Sequence, residues 1–311
     1  MLGLCLVAVF AMSAVAAASA SAVIKNPTKS ITIFKNCPVK ATEAQGEPID
    51  SLICVFAATE AAPEGGHFTV GTITVPLEKQ IVLQYGIAFT GPNEEHERYV
   101  PPQNGVEAIT PTPEKVPGEP IAHLNQREQA ELKWPEALSA KYLAAQKARS
   151  VKTVYETIEL AGIPATSRTN IIFEEGVGVE APVKIKAGNT WLSELGDTCY
   201  IGSNEGTIPG PIVQHLTTGP STSPLTGETI HGSAGELSIL RGGSELWLAH
   251  SNLVDNTYPV PGASCKGPYA KQIDAMIDKY FGLPAVAGAS VTELKGTLYN
   301  ATVQVAEKGG A

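Results

Sequence analysis

The chain has 311 residues, of which only 17% are charged, while Gly and Pro contribute 30 and 23 residues. This length can bury a sizeable core and predicts one or two domains. The net charge of −9 argues against binding to nucleic acid or to anionic lipid surfaces, because both attract Lys and Arg. Few charges together with many Gly and Pro residues are typical of an exported, loop-rich β protein rather than a cytosolic enzyme.

Residues 1–22 are predicted to be an export signal. They carry no charge, and the apolar run Leu2–Phe10 is followed by small residues. Ala20–Ala22 fits a cleavage site that would make Val23 the first mature residue, with a near alternative two residues earlier. A buried apolar helix, an uncleaved anchor and a lipidated Cys5 are the alternatives. For an anchor, the apolar run is shorter than the roughly 20 residues that a spanning helix needs. We expect a secreted or cell-surface protein with no membrane span after cleavage.

If Cys5 leaves with the signal, four cysteines remain. An even number of cysteines in an exported chain indicates disulfides. Four cysteines allow three pairings, and we favour Cys37–Cys54 with Cys199–Cys265, because each pair closes a loop within one region of the sequence. A zinc site is the alternative, but the sequence contains no C-x-x-C spacing.

Residues 23–120 are predicted to form an N-terminal β region that ends in a Pro-rich loop. Gly71 interrupts one of its strands and predicts a bulge. Its prolines make Thr90–Pro120 a long loop without regular structure, of the kind that is either functional or a mobile cover. Pro38–Asp50 is predicted to be a polar loop. Apolar and β-branched runs predict strands at Ser30–Phe34, Ser51–Ala57, His67–Leu77 and Gln80–Phe89.

Residues 121–150 are predicted to be a helical insertion. Strong helix formers dominate Gln126–Ser150, and Asn125 is a suitable N-cap. Pro135 should end or kink the helix, so two helices fit the pattern as well as one. The apolar face is thin, which predicts a helix lying on the surface of a sheet.

Residues 151–311 are predicted to form a C-terminal β region with a short helix at 268–281. Ile273, Met276, Ile277 and Tyr280 follow helical spacing, and Gly282 and Pro284 should end this helix. Ser221–Gly235 is predicted to be a polar excursion between strands. Strands are predicted at Val151–Leu160, Asn170–Phe173, Ala181–Lys186, Thr198–Ile201, Pro211–Thr217, Glu236–Leu240, Glu245–Leu248 and Val291–Val305. The expected fold is therefore mainly β: a disulfide-stapled, β-sandwich-like arrangement of one or two packed sandwiches, with a long helical insertion and a short C-terminal helix.

Several short segments resemble those of uncharacterised exported proteins of high-GC Gram-positive, actinobacterial type. They are FKNCPV (Phe34–Val39), FTVGTITVPL (Phe68–Leu77), APVKIK (Ala181–Lys186), CYIGS (Cys199–Ser203), HLTTG (His215–Gly219), NLVDNTYPVPGASCKG (Asn252–Gly267) and GLPAVAG (Gly282–Gly288). Together they run through most of the mature chain, and the helical segment looks like an elaboration within that pattern. The resemblance implies secretion or residence in the cell envelope. It implies no activity, cofactor or catalytic residue.

Candidate catalytic groups are few. His231–Gly235 (HGSAG) approaches the G-x-S-x-G turn that exposes a nucleophilic serine, but His231 takes the first Gly position and a strand is predicted to follow, so we interpret Ser233 as a turn serine. Paired carboxylates for glycoside cleavage could come from Asp255–Asn256, Glu174–Glu175 or Asp197. A chain with 31 acidic residues offers such pairs by chance, and Asp255–Asn256 is better interpreted as a turn that satisfies its own backbone.

Candidate ligand sites are equally weak. Asn93–Glu97 could hold Ca²⁺ or a transition metal, but it lacks the residue pattern of a calcium loop and is interpreted as a solvated acidic loop. Arg241–Gly243 is predicted to be a hairpin turn rather than a phosphate loop. Trp191 and Trp247 could stack on sugars, although buried packing is the more common role. No catalytic, metal or cofactor-binding residue is assigned, and no cofactor is expected.

The leading hypothesis is a secreted or envelope-associated, non-enzymatic protein with a structural, adhesive or binding role, whose partners would be cell-wall or envelope components. One alternative is a secreted hydrolase acting on polysaccharide or ester, which requires a cleft with facing acids or a Ser, His and carboxylate together. Another is a carrier of lipid or a small ligand, which requires an apolar cavity between sheets.

Overall fold

The computed structural model describes residues 31–44, 48–60, 64–90, 96–102, 113–118, 124–147, 154–189, 198–241 and 246–307. The predicted export signal, Trp191 and Asp197 lie outside these ranges. Within them, no helix is long and apolar enough to cross a membrane.

The described chain is mainly β, as predicted. Its strands are β1 Leu52–Thr59, β2 Gly66–Val70, β3 Ile73–Pro76, β4 Val82–Thr90, β5 His96–Val100, β6 Glu114–Lys115, β7 Tyr155–Leu160, β8 Ala165–Thr166, β9 Val177–Gly188, β10 Cys199–Ile201, β11 Ile212–Thr217, β12 Pro220–Thr222, β13 Thr229–His231, β14 Ser233–Arg241, β15 Leu246–Asp255, β16 Ala263–Cys265 and β17 Thr292–Thr302. Its helices are α1 Val39–Ala44, α2 Gln126–Glu131, α3 Glu136–Lys147, α4 Arg168–Ile172, α5 Ala270–Phe281 and α6 Val303–Glu307, with 3-10 turns at Ile31–Phe34 and Ile49–Ser51.

All these strands except β12 and β13 belong to one curled antiparallel sheet. Its main path runs β16-β10-β9-β11-β15-β17-β1-β4-β5, with β7 and β8 added on β9, β14 on β15, and β2 on β17. The two halves join between β11 and β15, where the register contains the single pair Thr217 and Val254. So narrow a junction lets the halves turn toward each other and enclose a core. The sandwich-like prediction is confirmed.

Both predicted disulfides are present. Cys37–Cys54 ties the N-terminal turns to β1. Cys199–Cys265 joins β10 to β16, where the two residues lie directly opposite in the register. Each bond therefore fastens an outlying segment to the sheet, and all four sulfurs are buried.

The helical predictions are largely confirmed. Asn125 caps α2 through a capping box with Glu128, and Pro135 lies between α2 and α3. In α3 the residues Leu138, Tyr142 and Ala145 are buried. Helix α5 buries Ile273, Met276 and Ile277, leaves Tyr280 half-buried, and ends at Gly282 in a left-handed conformation with φ of 67°.

Two predicted strands are helical. Ile31–Phe34 is a 3-10 turn, because the chain reverses before the first disulfide and the Cys37 amide donates to the Phe34 carbonyl. Asn170–Phe173 falls largely in α4, where Ile171 and Ile172 are both buried and Phe173 is exposed. A strand would send Ile171 and Ile172 to opposite faces, so packing selects the helix.

Other predicted boundaries are wrong in detail. Gly71 forms the turn of the β2–β3 hairpin rather than a bulge; its φ is 60°, and a Cβ would collide with the Phe281 carbonyl. The loops predicted at Pro38–Asp50 and Thr90–Pro120 contain α1 and strands β5 and β6. The polar excursion predicted at Ser221–Gly235 contains most of the β12–β13 hairpin and the start of β14. Beyond Thr302 the last predicted strand continues as α6, which buries Val303 and Val305.

Candidate ligand-binding cavity

An apolar cavity lies between the two facing halves of the sheet. One wall is formed by β1, β2, β4, β15 and β17, and the other by β7, α4, β9 and β11. The lining residues are Ala57, Ala58, Thr59, Phe68, Ile81, Leu83, Tyr85, Ser251, Leu253, Thr292, Leu294, Gly296, Thr297 and Leu298 on the first wall, and Ile158, Leu160, Pro164, Ile171, Val179, Ala181, Val183, Gln214 and Leu216 on the second.

Alternation along the strands puts these side chains inside. In β9 the residues Ala181 and Val183 point to the buried face, and in β7 Ile158 and Leu160 do the same. Pro164 follows β7, and α4 contributes Ile171 to the same wall. The cavity is thus assembled from strands that are far apart in the sequence.

The cavity has a volume of about 130 Å³ and opens to solvent at its mouth. An engineered cavity of roughly 150 Å³ with apolar walls stays dry and binds benzene. Of the described lining residues, none is Asp, Glu, Lys, Arg or His. A small apolar molecule therefore fits this space in size and in polarity.

Two of the polar lining residues bond to each other across the cavity. The Gln214 side-chain amide donates to the Thr292 hydroxyl (2.8 Å), which lies 2.8 Å from the Tyr258 hydroxyl. The Tyr258 hydroxyl in turn donates to the Thr69 carbonyl (3.1 Å). This chain of hydrogen bonds crosses from β11 to β17 and joins the two walls. Burial raises the pKa of Tyr258, which keeps the phenol neutral and able to donate.

Thr59, another polar lining residue, also has its hydrogen bonds within the first wall. The Thr59 hydroxyl accepts from the Ile81 amide (2.9 Å), and the Gln80 side chain donates to the Thr59 carbonyl (2.9 Å). The polar atoms of Thr59 are therefore engaged within the wall. An apolar ligand in contact with Thr59 would therefore leave none of the polar atoms of this residue without a hydrogen bond.

Asp255, one of the candidate acids, is buried and structural. Its carboxylate accepts from the His215 amide (2.6 Å) and from the amide and hydroxyl of Thr257 (both 2.8 Å). The bond to the amide two residues ahead is the predicted self-satisfying turn, which is confirmed. Its other oxygen bridges β11 and β15 where the two halves of the sheet join. Glu174 and Glu175 are exposed after α4 and do not line the cavity.

The serine motif does not form a nucleophile turn. His231 ends β13, and Ser233 begins β14, where it pairs with Asn252 and is exposed. A strand follows Ser233, as predicted, but the serine is a strand residue rather than a turn residue. Gly232 packs between them, with its amide donating to the Gly219 carbonyl.

Several predicted ligand residues lie outside the described part of the chain, among them Asn93–Glu95, Trp191, Asp197 and Gly242–Gly243. The side chains of His96 and Trp247 also lie outside it, whereas Glu97 is exposed in β5. Among the described residues, no group of three or more His, Cys, Asp or Glu side chains is placed to hold a metal ion.

Sequence reasoning missed the cavity because no motif marks it. The alternating runs in β7 and β9 identify residues that face inward, but not which of them remain uncovered by a neighbour. Fold and site together define a disulfide-linked, mainly β protein with an internal apolar cavity. Comparisons with protein-family models, with curated proteins and with solved structures each found no match to this chain.

Proposed function

We propose that this protein is a secreted, non-enzymatic binding protein that carries a small, uncharged, apolar ligand in the cavity between the halves of its sheet. The observation that carries the proposal is the cavity itself, which combines walls free of charged side chains with a hydrogen-bond chain from Gln214 through Thr292 to Tyr258. The proposal combines the binding role of the leading hypothesis with the alternative of a small-ligand carrier.

Cavity size limits the ligand. A volume near 130 Å³ encloses a body of about six to ten non-hydrogen atoms, by comparison with the benzene-sized cavity. A larger molecule would have to extend through the mouth. A charged group inside would meet no partner and would lose its hydration, which costs several kcal/mol or more.

Secretion is part of the proposal. It is supported by the uncharged, small-residue-rich sequence of residues 1–22 and by the two disulfides, which are typical of proteins outside the cytoplasm. The resemblance to exported actinobacterial proteins favours the same compartment. Envelope components would then be the natural surroundings in which such a ligand is collected or delivered.

The test is calorimetric titration of the oxidised protein with toluene, which is uncharged and of suitable size. For seven non-hydrogen atoms we expect a one-site Kd on the order of 0.1 to 1 mM. Benzoate and benzylammonium, which have similar shape but carry charge, are the matched controls and should not bind measurably. Lack of saturable toluene binding, or equal binding of benzoate, would refute the proposed ligand class.

A further inference from the structure

Two buried glutamates face each other outside the cavity. Glu114 in β6 and Glu156 in β7 are directly opposite in an antiparallel register, and each is 2% exposed. Opposite residues in such a pair project to the same face, with Cβ atoms roughly 5 Å apart. Two carboxyl groups are thus held together away from water.

Among the described residues neither carboxyl group has a salt bridge, and both are shielded from solvent. Within the described chain, both oxygens of Glu156 and Oε2 of Glu114 have no hydrogen-bond partner. Oε1 of Glu114 accepts from the Lys79 amide (3.1 Å). The nearby charges that act on Glu114 are those of Glu78 and Lys79, which oppose each other, while the β9 residue opposite Glu156 is the uncharged Ala187.

We propose that Glu114 and Glu156 form a proton-controlled latch, which holds residues 113–118 against β7 while the carboxyls are protonated and releases them when both ionise. Among the described residues, this segment is otherwise attached by two register pairs, the bond from the Val116 amide to the Val154 carbonyl (2.9 Å), the Lys79 contact and the Val116 side chain, which is buried in the core. Two negative charges at this spacing repel strongly where little water screens them.

The direction of the response follows from burial. Burial, reinforced by the charge of Glu114, raises the pKa of Glu156 from 4.5 to about 8, and burial also raises the pKa of Glu114. When the latch opens, Glu156 regains its ordinary pKa. Through Glu156 alone, the opening equilibrium constant therefore rises by roughly 90-fold between pH 6 and pH 9, and ionisation of Glu114 adds to this rise.

The elements that the latch joins also reach the cavity. Ile158 and Leu160 follow Glu156 on the same face of β7, and Ile81 lies two residues beyond Lys79. Opening would loosen both walls at this end. The latch itself stands without the proposed ligand, so its test does not depend on toluene binding.

The test measures amide hydrogen exchange of the full oxidised protein by NMR, at pH 6 and pH 9, after correction for intrinsic exchange rates. Protection of the Val116 and Lys79 amides should fall by at least about 90-fold in the wild type. Most of this fall should disappear in Glu156→Gln, whose side chain mimics the neutral acid, and all of it in the double variant with Glu114→Gln. Glu228→Gln, which changes an exposed glutamate, should behave as the wild type.

Equal protection at both pH values in the wild type would overturn the latch, and so would an undiminished fall in Glu156→Gln. Recovery of protection at pH 9 on addition of Ca²⁺ or Mg²⁺ would also overturn it, because a cation rather than a proton would then hold the carboxylates. Toluene binding in the wild type, measured separately, decides the proposed function whichever result the exchange experiment gives.

Discussion

Filling the cavity should stabilise the protein, and Ala181→Leu is the sharpest way to do so. Ala181 lies on the inward face of β9, is 6% exposed and lines the cavity. Leucine adds three carbon atoms to an apolar space that the surrounding side chains leave unfilled. At about 0.8 kcal/mol for each carbon buried, the gain is about 2.4 kcal/mol, from which roughly 0.5 to 1 kcal/mol is lost in side-chain entropy. We expect the free energy of unfolding to rise by about 1.5 kcal/mol.

Ala187→Leu is the matched control. Ala187 lies on the same face of the same strand, is 2% exposed and does not line the cavity. The same three carbons must there be forced into packed core, which destabilises by about 1 to 3 kcal/mol. The two variants should therefore differ by about 3 kcal/mol although their chemistry is identical.

Urea denaturation at pH 6 measures both variants, and an unchanged m value would show that the unfolding transition is comparable. Ala181→Leu should also abolish calorimetric binding of toluene, whereas Ala187→Leu should retain it. If Ala181→Leu destabilises the protein as much as Ala187→Leu does, the space between the halves of the sheet is not an open cavity and the proposed function fails with it.

Three further outcomes are expected. Because the folded-state pKa of Glu156 is raised to about 8, its contribution to stability is fully present below pH 4.5 and decreases as pH rises toward 8. This group alone should lower the free energy of unfolding in urea by about 3 kcal/mol between pH 4.5 and pH 7, and Glu156→Gln should reduce the pH dependence of the wild type by about that amount. Replacing Cys199 and Cys265 by Ser opens a loop with a sequence separation of 66, and the free energy of unfolding in urea should fall by just over about 4 kcal/mol. Replacing the other two cysteines, which are separated by 17 residues, should lower it by about 3 kcal/mol. Asp255→Ala leaves the part-buried His215 amide at the β11–β15 junction without its acceptor and should cost about 2 kcal/mol; a loss below 1 kcal/mol would show that the junction does not depend on this carboxylate.

Much of the local structure could be predicted because its causes are local. Asn125 and Glu128 form a capping box three residues apart, and Pro135 separates two helices by removing a backbone donor. The spacing of Ile273, Met276 and Ile277 marks the buried face of α5. The disulfide pairing could be predicted because each pair closes a loop within one region of the sequence.

The misassigned segments are short and depend on distant contacts. The apolar run at Asn170–Phe173 suits a strand as well as a helix, and burial of both Ile171 and Ile172 selects the helix. The turn at Gly71 is decided by the approach of the Phe281 carbonyl, more than two hundred residues away. The buried Glu156 was visible in principle, since it shares the alternation of Val154, Ile158 and Leu160, but its partner Glu114 lies in a segment that its prolines mark as a loop.

The sequence by itself determined a mainly β chain, its two staples and the capped helices, because backbone preference, side-chain alternation and cysteine spacing act over a few residues or within one region. Only the tertiary structure decided where empty space remains. A cavity is what packing leaves unfilled when β9 and β17 come face to face, and no stretch of either strand records the shape of the other.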